Sequence, residues 1–499
     1  MERKTASKET IASLIQNSGK AIEELYIALK QDFAIRGALD ESTPHLYSVT
    51  HDIQTGIRFI LMDIWVSCRA LFQTNYAYEK RFHLKNVLAS ISEGYKAIMN
   101  FGKSRKYALW NLLEEELIHI GNSDLIDGFN KIKLQLIEFG DNRIDKDIRD
   151  LTLHYDDAMI KVFEKTASLN SEEDTMKLLC EFWAILQDML KFTYTLDEYI
   201  HANTGLSKPN EAINVQLDVN HEHNVIKLLI DNKGKLETAI STVLPKATSQ
   251  LDDMANHYFR LQKIGKYIKE EAPFNIEFPE LNNLETLANH ELLIRFMALD
   301  LASVINAYLH SDSDIEASLN LRRVVVIKTS TLVHLYGYDD REQEKSVWKS
   351  IQGFIPSDGE TLKAEEQAIQ NLLSKLVAES DDKKLRASLV HLYDNGSHKS
   401  NIEETLESVE ILDPARQTVE ILLLMEIYKK MEAFTKKLMD TLAQNARLQI
   451  ETSQREMLDK ITFMRQRIEQ SNVSPDIKDT FRQMMDKIQN IILGAVGKC

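Results

Sequence analysis

One order of residues runs through this chain twice at a separation of 237 positions, and any fold must accommodate both copies. Ile57-Arg58-Phe59 and Asp63 return as Ile294-Arg295-Phe296 and Asp300, and Glu79, Leu84 and Val87 return as Glu316, Leu321 and Val324. Phe101 is answered by Tyr338. Trp110 matches Trp348 with one residue inserted, and Phe192-Thr193 matches Phe434-Thr435 after a further small insertion. Upstream, Leu14-Ile15, Asn17 and Gly19-Lys20 correspond to Leu229-Ile230, Asn232 and Gly234-Lys235, which starts the units near residues 8 and 222. Few positions are identical, so the weight rests on the shared order, which predicts two units of one architecture.

A chain of 499 residues holds two such units, each large enough for its own core. Only 17 Gly and 8 Pro punctuate it, which favours long helices over turn-rich sheet. Apolar residues recur at three- and four-residue spacing, as in Ile11, Leu14, Ile15, Ile22, Leu25, Tyr26 and Leu29, the pattern of a helix with one buried stripe. Residues 56–73 and 291–309 read as one matched pair of helices, and about 80–99 and 316–336 as another. Val324-Val325-Val326-Ile327 is β-branched, but its helical surroundings and the repeat outweigh a strand.

The expected class is therefore all-α: a helical unit over 1–207, a linker over 208–222, and a second helical unit over 223–499 with long C-terminal helices. Leu448, Met457, Ile461 and Met464 continue a helical stripe through the charged region from about 416 to 470. That region is expected to pack on its own unit, with a coiled-coil contact to another chain as the alternative.

The formal net charge of −16 disfavours a general duplex-DNA or anionic-membrane binder, while leaving room for a local basic cleft. Cys68, Cys180 and Cys499 are widely spaced, so neither a disulfide framework nor a zinc site is indicated, and a reducing cytoplasm is the simplest compartment. The polar start lacks an apolar signal core, and runs such as Ile421 to Met425 or Ile491 to Val496 are too short to span a membrane. His201 and His221-Glu222-His223 lack metal-ligand spacing. No phosphate loop, nucleophile elbow or His-Glu-x-x-His occurs, so no cofactor or metal is expected.

The residues that carry chemistry lie in the repeat itself. Arg149 and His154 stand five positions apart, as do Arg386 and His391, and the two pairs are again separated by 237. On a continuous helix five residues turn through about 500°, or roughly 140° net, so each Arg and His needs a neighbouring element or the other unit to converge on one ligand.

This pattern resembles the HEPN family of small helical bundles, whose signature is Arg, four to six residues, then His. That signature covers about eight residues of each unit. Asp150 fits the polar residue that usually follows the Arg, and Ala387 departs from it. His391-Leu392-Tyr393 matches the toxin subset, which has a Tyr two residues past the His, whereas Tyr155 sits one residue too close.

The resemblance implies a metal-independent endoribonuclease, of a toxin or phage-defence kind, whose cleft forms where two HEPN units meet. His154 or His391 would move protons and Arg149 and Arg386 would clamp the phosphate. A tandem chain supplies both halves, and a homodimer stays open. Tyr393 corresponds to a position that a partner nucleotidyltransferase modifies, implying an inhibitory protein partner. The alternative from another class is a catalytically silent helical scaffold that binds RNA or protein.

Secondary expectations attach to other matched residues. Glu79 and Glu316 are candidates to orient the Arg side chains, against a plain helix salt bridge. Arg58 with Asp63 and Arg295 with Asp300 are expected to stitch helices. Lys103-Ser104-Arg105-Lys106, Arg322-Arg323 and Lys383-Lys384 are candidates to track an RNA backbone, against solvated surface.

Overall fold

The structure is a computed structural model. It describes residues 8–37, 43–99, 108–144, 172–204, 225–270, 279–357, 359–380, 393–394, 399–400, 405, 408–409, 411–472 and 474–496. In the first half the order is α1 (Lys8–Gly37), α2 (His45–Gln73), α3 (Ala77–Ile98), α4 (Leu109–Ile120), α5 (Ser123–Asn142) and α6 (Glu172–Thr204). In the second half α7 (Val225–Ser241) and α8 (Ala247–Glu270) precede α9 (Pro279–Leu309) and α10 (Asp314–Leu335). The short α11 (Asp340–Gln343) and α12 (Val347–Gln352), then α13 (Glu360–Glu379), α14 (Pro414–Gln470) and α15 (Pro475–Val496), complete it. Among the described residues the sole sheet is a two-residue ribbon, β1 (Tyr393–Asp394) antiparallel to β2 (Lys399–Ser400). The chain is all-α, and Val324 to Ile327 lie inside α10. The expected linker, 208–222, lies outside the described residues.

Local chemistry fixes the helix ends. The Asn122 side chain accepts from the Asp124 and Leu125 amides at the start of α5, and Asp413 caps α14 with Pro414 in its first position. Ser313 accepts from the Glu316 amide, while the Glu316 carboxylate takes the Asp312 N–H, a capping-box arrangement at the start of α10. Gly337 ends α10 with φ 85°, and a Cβ there would lie 2.5 Å from the Gln343 nitrogen, so glycine is required.

Two cores form. One is built from Ile22 to Ile200, the other from Val225 to Leu442, and each borrows from the opposite half. Tyr78 and Phe82 of α3 enter the second core; Ile315 and Leu319 of α10, which stand 237 positions further on, pack into the first. Each such side chain, buried whole, contributes about 1.5–3 kcal/mol. The matched tryptophans also meet matched partners: Trp110 is tilted on Phe192 at 5.9 Å between ring centres, and Trp348 on Phe434 at 5.8 Å.

Two sequence expectations need correction. Residues 282–309 of α9 do form a helix long and apolar enough to cross a membrane, but its most apolar stretch is buried inside the fold. It is largely apolar because protein surrounds it, and charged Glu291, Arg295 and Asp300 lie buried among other helices. The C-terminal stripe packs on its own unit only as far as Leu442. Beyond that, α14 turns its apolar residues to α15, through Ile461 and Met485 with Met457, Leu458, Phe481 and Ile488, and Leu448 is 55% exposed.

Candidate functional site

Arg149, Asp150, His154, Arg386 and His391 lie outside the described residues, as do Lys103 to Lys106, Lys383-Lys384, His221 and His223. In sequence, one motif falls between α5 and α6 and the other between α13 and α14, the matched intervals of the two halves. Tyr393 begins the short ribbon, opposite Ser400.

Glu79 and Glu316 are described, and each occupies the third position of its helix, α3 or α10, where helix-end amides favour an anion. Both are buried, at 0% and 2% exposure, where α2 and α3 meet α9 and α10. The Arg69 Nε lies 2.6 Å from Glu316, and its guanidinium also reaches Asp312 and the Ile15 carbonyl. Glu79 accepts from Thr74 and from Asn306. Burial pushes both carboxyls up; Thr74 and Asn306 pull Glu79 back, and the Asp312 amide and Arg69 do the same for Glu316.

These contacts cross between the halves and follow the 237-residue spacing. Asn306 is the counterpart of Arg69 and Glu79 of Glu316, so one arrangement is made twice with different chemistry. The same holds at the matched aspartates. Asp63 accepts from Arg322 at 3.0 Å and from Arg323 at 3.0 Å, while Asp300 accepts from Lys85, the counterpart of Arg322, at 3.3 Å and from the Tyr78 hydroxyl at 2.6 Å. Burial pushes the Asp63 carboxyl up, but the Arg323 and Arg322 charges together with hydrogen bonds from Ser90 and Arg323 hold it below its usual range.

The expected roles shift accordingly. Arg322 and Arg323 are largely buried against Asp63 and track no backbone, because a run of two Arg signals charge and not exposure. Arg58 and Arg295 do stitch helices, but not through Asp63 and Asp300. Arg58 reaches Asp32 and the Tyr194 hydroxyl, and Arg295 reaches Glu432 at 3.2 Å.

A polar cluster that the sequence reading missed lies along the seam of α2 and α6. Gln54 donates to Asp197 at 2.7 Å, and the Tyr47 ring meets His51 at 4.4 Å and His201 at 5.5 Å. His51 is 4% exposed, and neither ring nitrogen has a hydrogen-bond partner among the described residues. Burial, then His201, lowers His51 to about 4; burial raises Asp197 to about 6 against the pull of Gln54, His201 and Arg58. Tyr47 is pushed up to about 12 by burial and Asp197.

At the matching seam of α9 and α14, Glu291 stands in place of Gln54, and burial with Glu432 and Asp440 raises it to about 7 against Lys436 and Arg295. The available signal was polar residues at heptad spacing in otherwise apolar helices: 47, 51, 54 and 58 on α2, with 194, 197 and 201 on α6.

No family model matches the chain, and no curated protein or solved structure matches it.

Proposed function

We propose that the chain is an endoribonuclease of the HEPN type, in which the two halves of one polypeptide each contribute an Arg and a His to one cleft. The observation that carries this reading is a coincidence of spacing. Arg149/His154 and Arg386/His391 are separated by the same 237 positions as Asp63/Asp300, Glu79/Glu316 and Lys85/Arg322, the residues through which the halves meet. A polar pair kept at the period of an inter-half contact suits a shared site better than two unrelated surfaces.

The chemistry needs no metal. An RNA 2′-OH attacks its adjacent phosphate in line, leaving a cyclic phosphate and a 5′-OH. One imidazole accepts the 2′-OH proton and another acid returns one to the leaving oxygen, a task suited to groups that titrate near neutrality. Arg149 and Arg386 offer planar, permanently charged forks to the phosphorane. Asp150 accompanies the first motif and Ala387 the second, which makes the first half the better equipped. Through Tyr393 the reading includes an inhibitory protein partner, and it places the enzyme in the cytoplasm.

The test incubates the purified full chain with structured and unstructured RNA in EDTA, beside His154→Ala/His391→Ala. Cyclic-phosphate ends from the wild type and none from the double variant are expected. Equal cleavage by both, or none by either across a broad set of RNAs, overturns the reading in favour of a scaffold.

A further inference from the structure

The antiparallel seam of α2 and α6 brings together two of the three cysteines. The Tyr47 ring meets His201 and the Trp65 ring meets Trp183 edge-on at 5.1 Å. Eighteen residues separate Tyr47 from Trp65, and eighteen separate Trp183 from His201, so the two helices keep register along the seam. Cys68 lies three residues beyond Trp65 and Cys180 three residues before Trp183, which places them at the next level, one on each helix. Each thiol also lies within electrostatic reach of the other.

Cys68 is fully buried and Cys180 is exposed. The counterpart positions in the second half hold Ile305 and Leu422, so this juxtaposition belongs to the first half alone.

We propose that Cys68 and Cys180 are a redox modification site, forming an intrachain disulfide that staples α6 to α2. A low-molecular-weight disulfide is the oxidant. The Cys180 thiolate attacks one of its sulfurs, forming a mixed disulfide and releasing one thiolate. The Cys68 sulfur then attacks the Cys180 sulfur as its proton passes to the departing low-molecular-weight thiolate, which breaks the mixed disulfide and releases the second thiol. Two protein thiols are oxidised and one disulfide is reduced to two thiols.

Exposure dictates this order. Cys68 is shielded from an external reagent, and burial pushes its thiol up to about 12 against the pull of Arg323, so it reacts only with a sulfur already held beside it, that of Cys180. A disulfide needs Cα atoms roughly 4.4–6.8 Å apart. Reversible bridges of this kind suit a reducing compartment, where structural ones are rare.

α2 also carries Asp63 and Arg69, so the bridge would tie the helix that follows Arg149 and His154 to the helix that joins the halves. The proposal stands independently of the nuclease reading.

The experiment treats the full chain with oxidised glutathione, alkylates remaining thiols under denaturing conditions, and maps peptides by mass spectrometry. A peptide joining Cys68 to Cys180, with Cys499 alkylated or glutathionylated, is expected, together with a higher melting temperature that dithiothreitol reverses. In Cys68→Ser the glutathione adduct on Cys180 persists; in Cys180→Ser the Cys68 thiol stays free. Recovery of Cys68 as a free thiol in the wild type, a lasting mixed disulfide on Cys180 there, or a covalent dimer joined through Cys68 or Cys180 overturns the proposal. The wild-type map decides the matter even if a serine variant folds poorly.

Discussion

The two halves meet through matched residues, yet the pairs they make differ in strength. On one side the buried Arg69 guanidinium faces buried Glu316; on the other, neutral Asn306 faces Glu79. Asp63 accepts from the Arg322 and Arg323 guanidiniums, while its counterpart Asp300 accepts from the Lys85 ammonium and the Tyr78 phenol. Position is kept throughout, while charge is kept between Lys85 and Arg322 and lost between Arg69 and Asn306. The contact therefore depends on where the helices put a polar group, and the chemistry at each place has room to drift provided that every buried group retains a partner.

The sharpest way to break the comparison is to remove one side of it. Glu316→Leu leaves Arg69 buried with only exposed Asp312 as a charged partner, and should cost about 3–5 kcal/mol. Glu79→Leu releases two neutral donors and should cost about 1–3 kcal/mol. Urea unfolding of the full chain checks both, and equal losses would mean that the two sides do not differ in the way argued. Next come the reciprocal insertions: Phe82→Ala should cost about 3–5 kcal/mol and Leu319→Ala about 2–5 kcal/mol, each disturbing the core of the opposite half. Tryptophan fluorescence, in chains where Trp65, Trp183 and one of Trp110 and Trp348 are replaced by Phe, reports which core loosens.

The seams give a smaller, pH-dependent difference. Glu291 is raised to about 7 in the fold, above its ordinary carboxyl range. Its stabilisation is complete below that ordinary range and is lost as pH rises through about 7, because only the unfolded chain then ionises it freely. Glu291→Gln installs the residue type that the first half carries at position 54. The variant should match the wild type near pH 4 and melt higher at pH 8, by on the order of 2–3 kcal/mol. A constant difference across that range would contradict the assigned cause. At the small end, Arg482→Ala removes an exposed pair with Glu469 at 2.6 Å in the terminal hairpin and should leave the melting temperature unmoved.

Most helices were legible because apolar spacing is a local signal: the matched stripes predict α2 with α9 and α3 with α10, and sparse Gly and Pro leave the helices long. The repeat also marked Asp63, Glu79 and their counterparts as a set. Their partners were not legible, because Arg69 and Glu316 are distant in sequence and carry no mark of burial. Arg322-Arg323 reads as surface for the same reason. The departure of α14 from the core at Leu442 was hidden because its apolar stripe continues unbroken while its packing partner changes to α15. The seam cluster of His51 and Asp197 escaped because single polar residues within helical stripes look incidental until two helices are set side by side.

Complementation of single variants tests directly whether the two halves of one chain make one cleft. His154→Ala and His391→Ala are assayed separately and then mixed in equal amounts with RNA in EDTA. A shared intrachain site predicts that each variant is impaired and that the mixture stays impaired, since no chain holds both imidazoles. Recovery of cleavage on mixing would contradict it and assign the site to a junction between two chains.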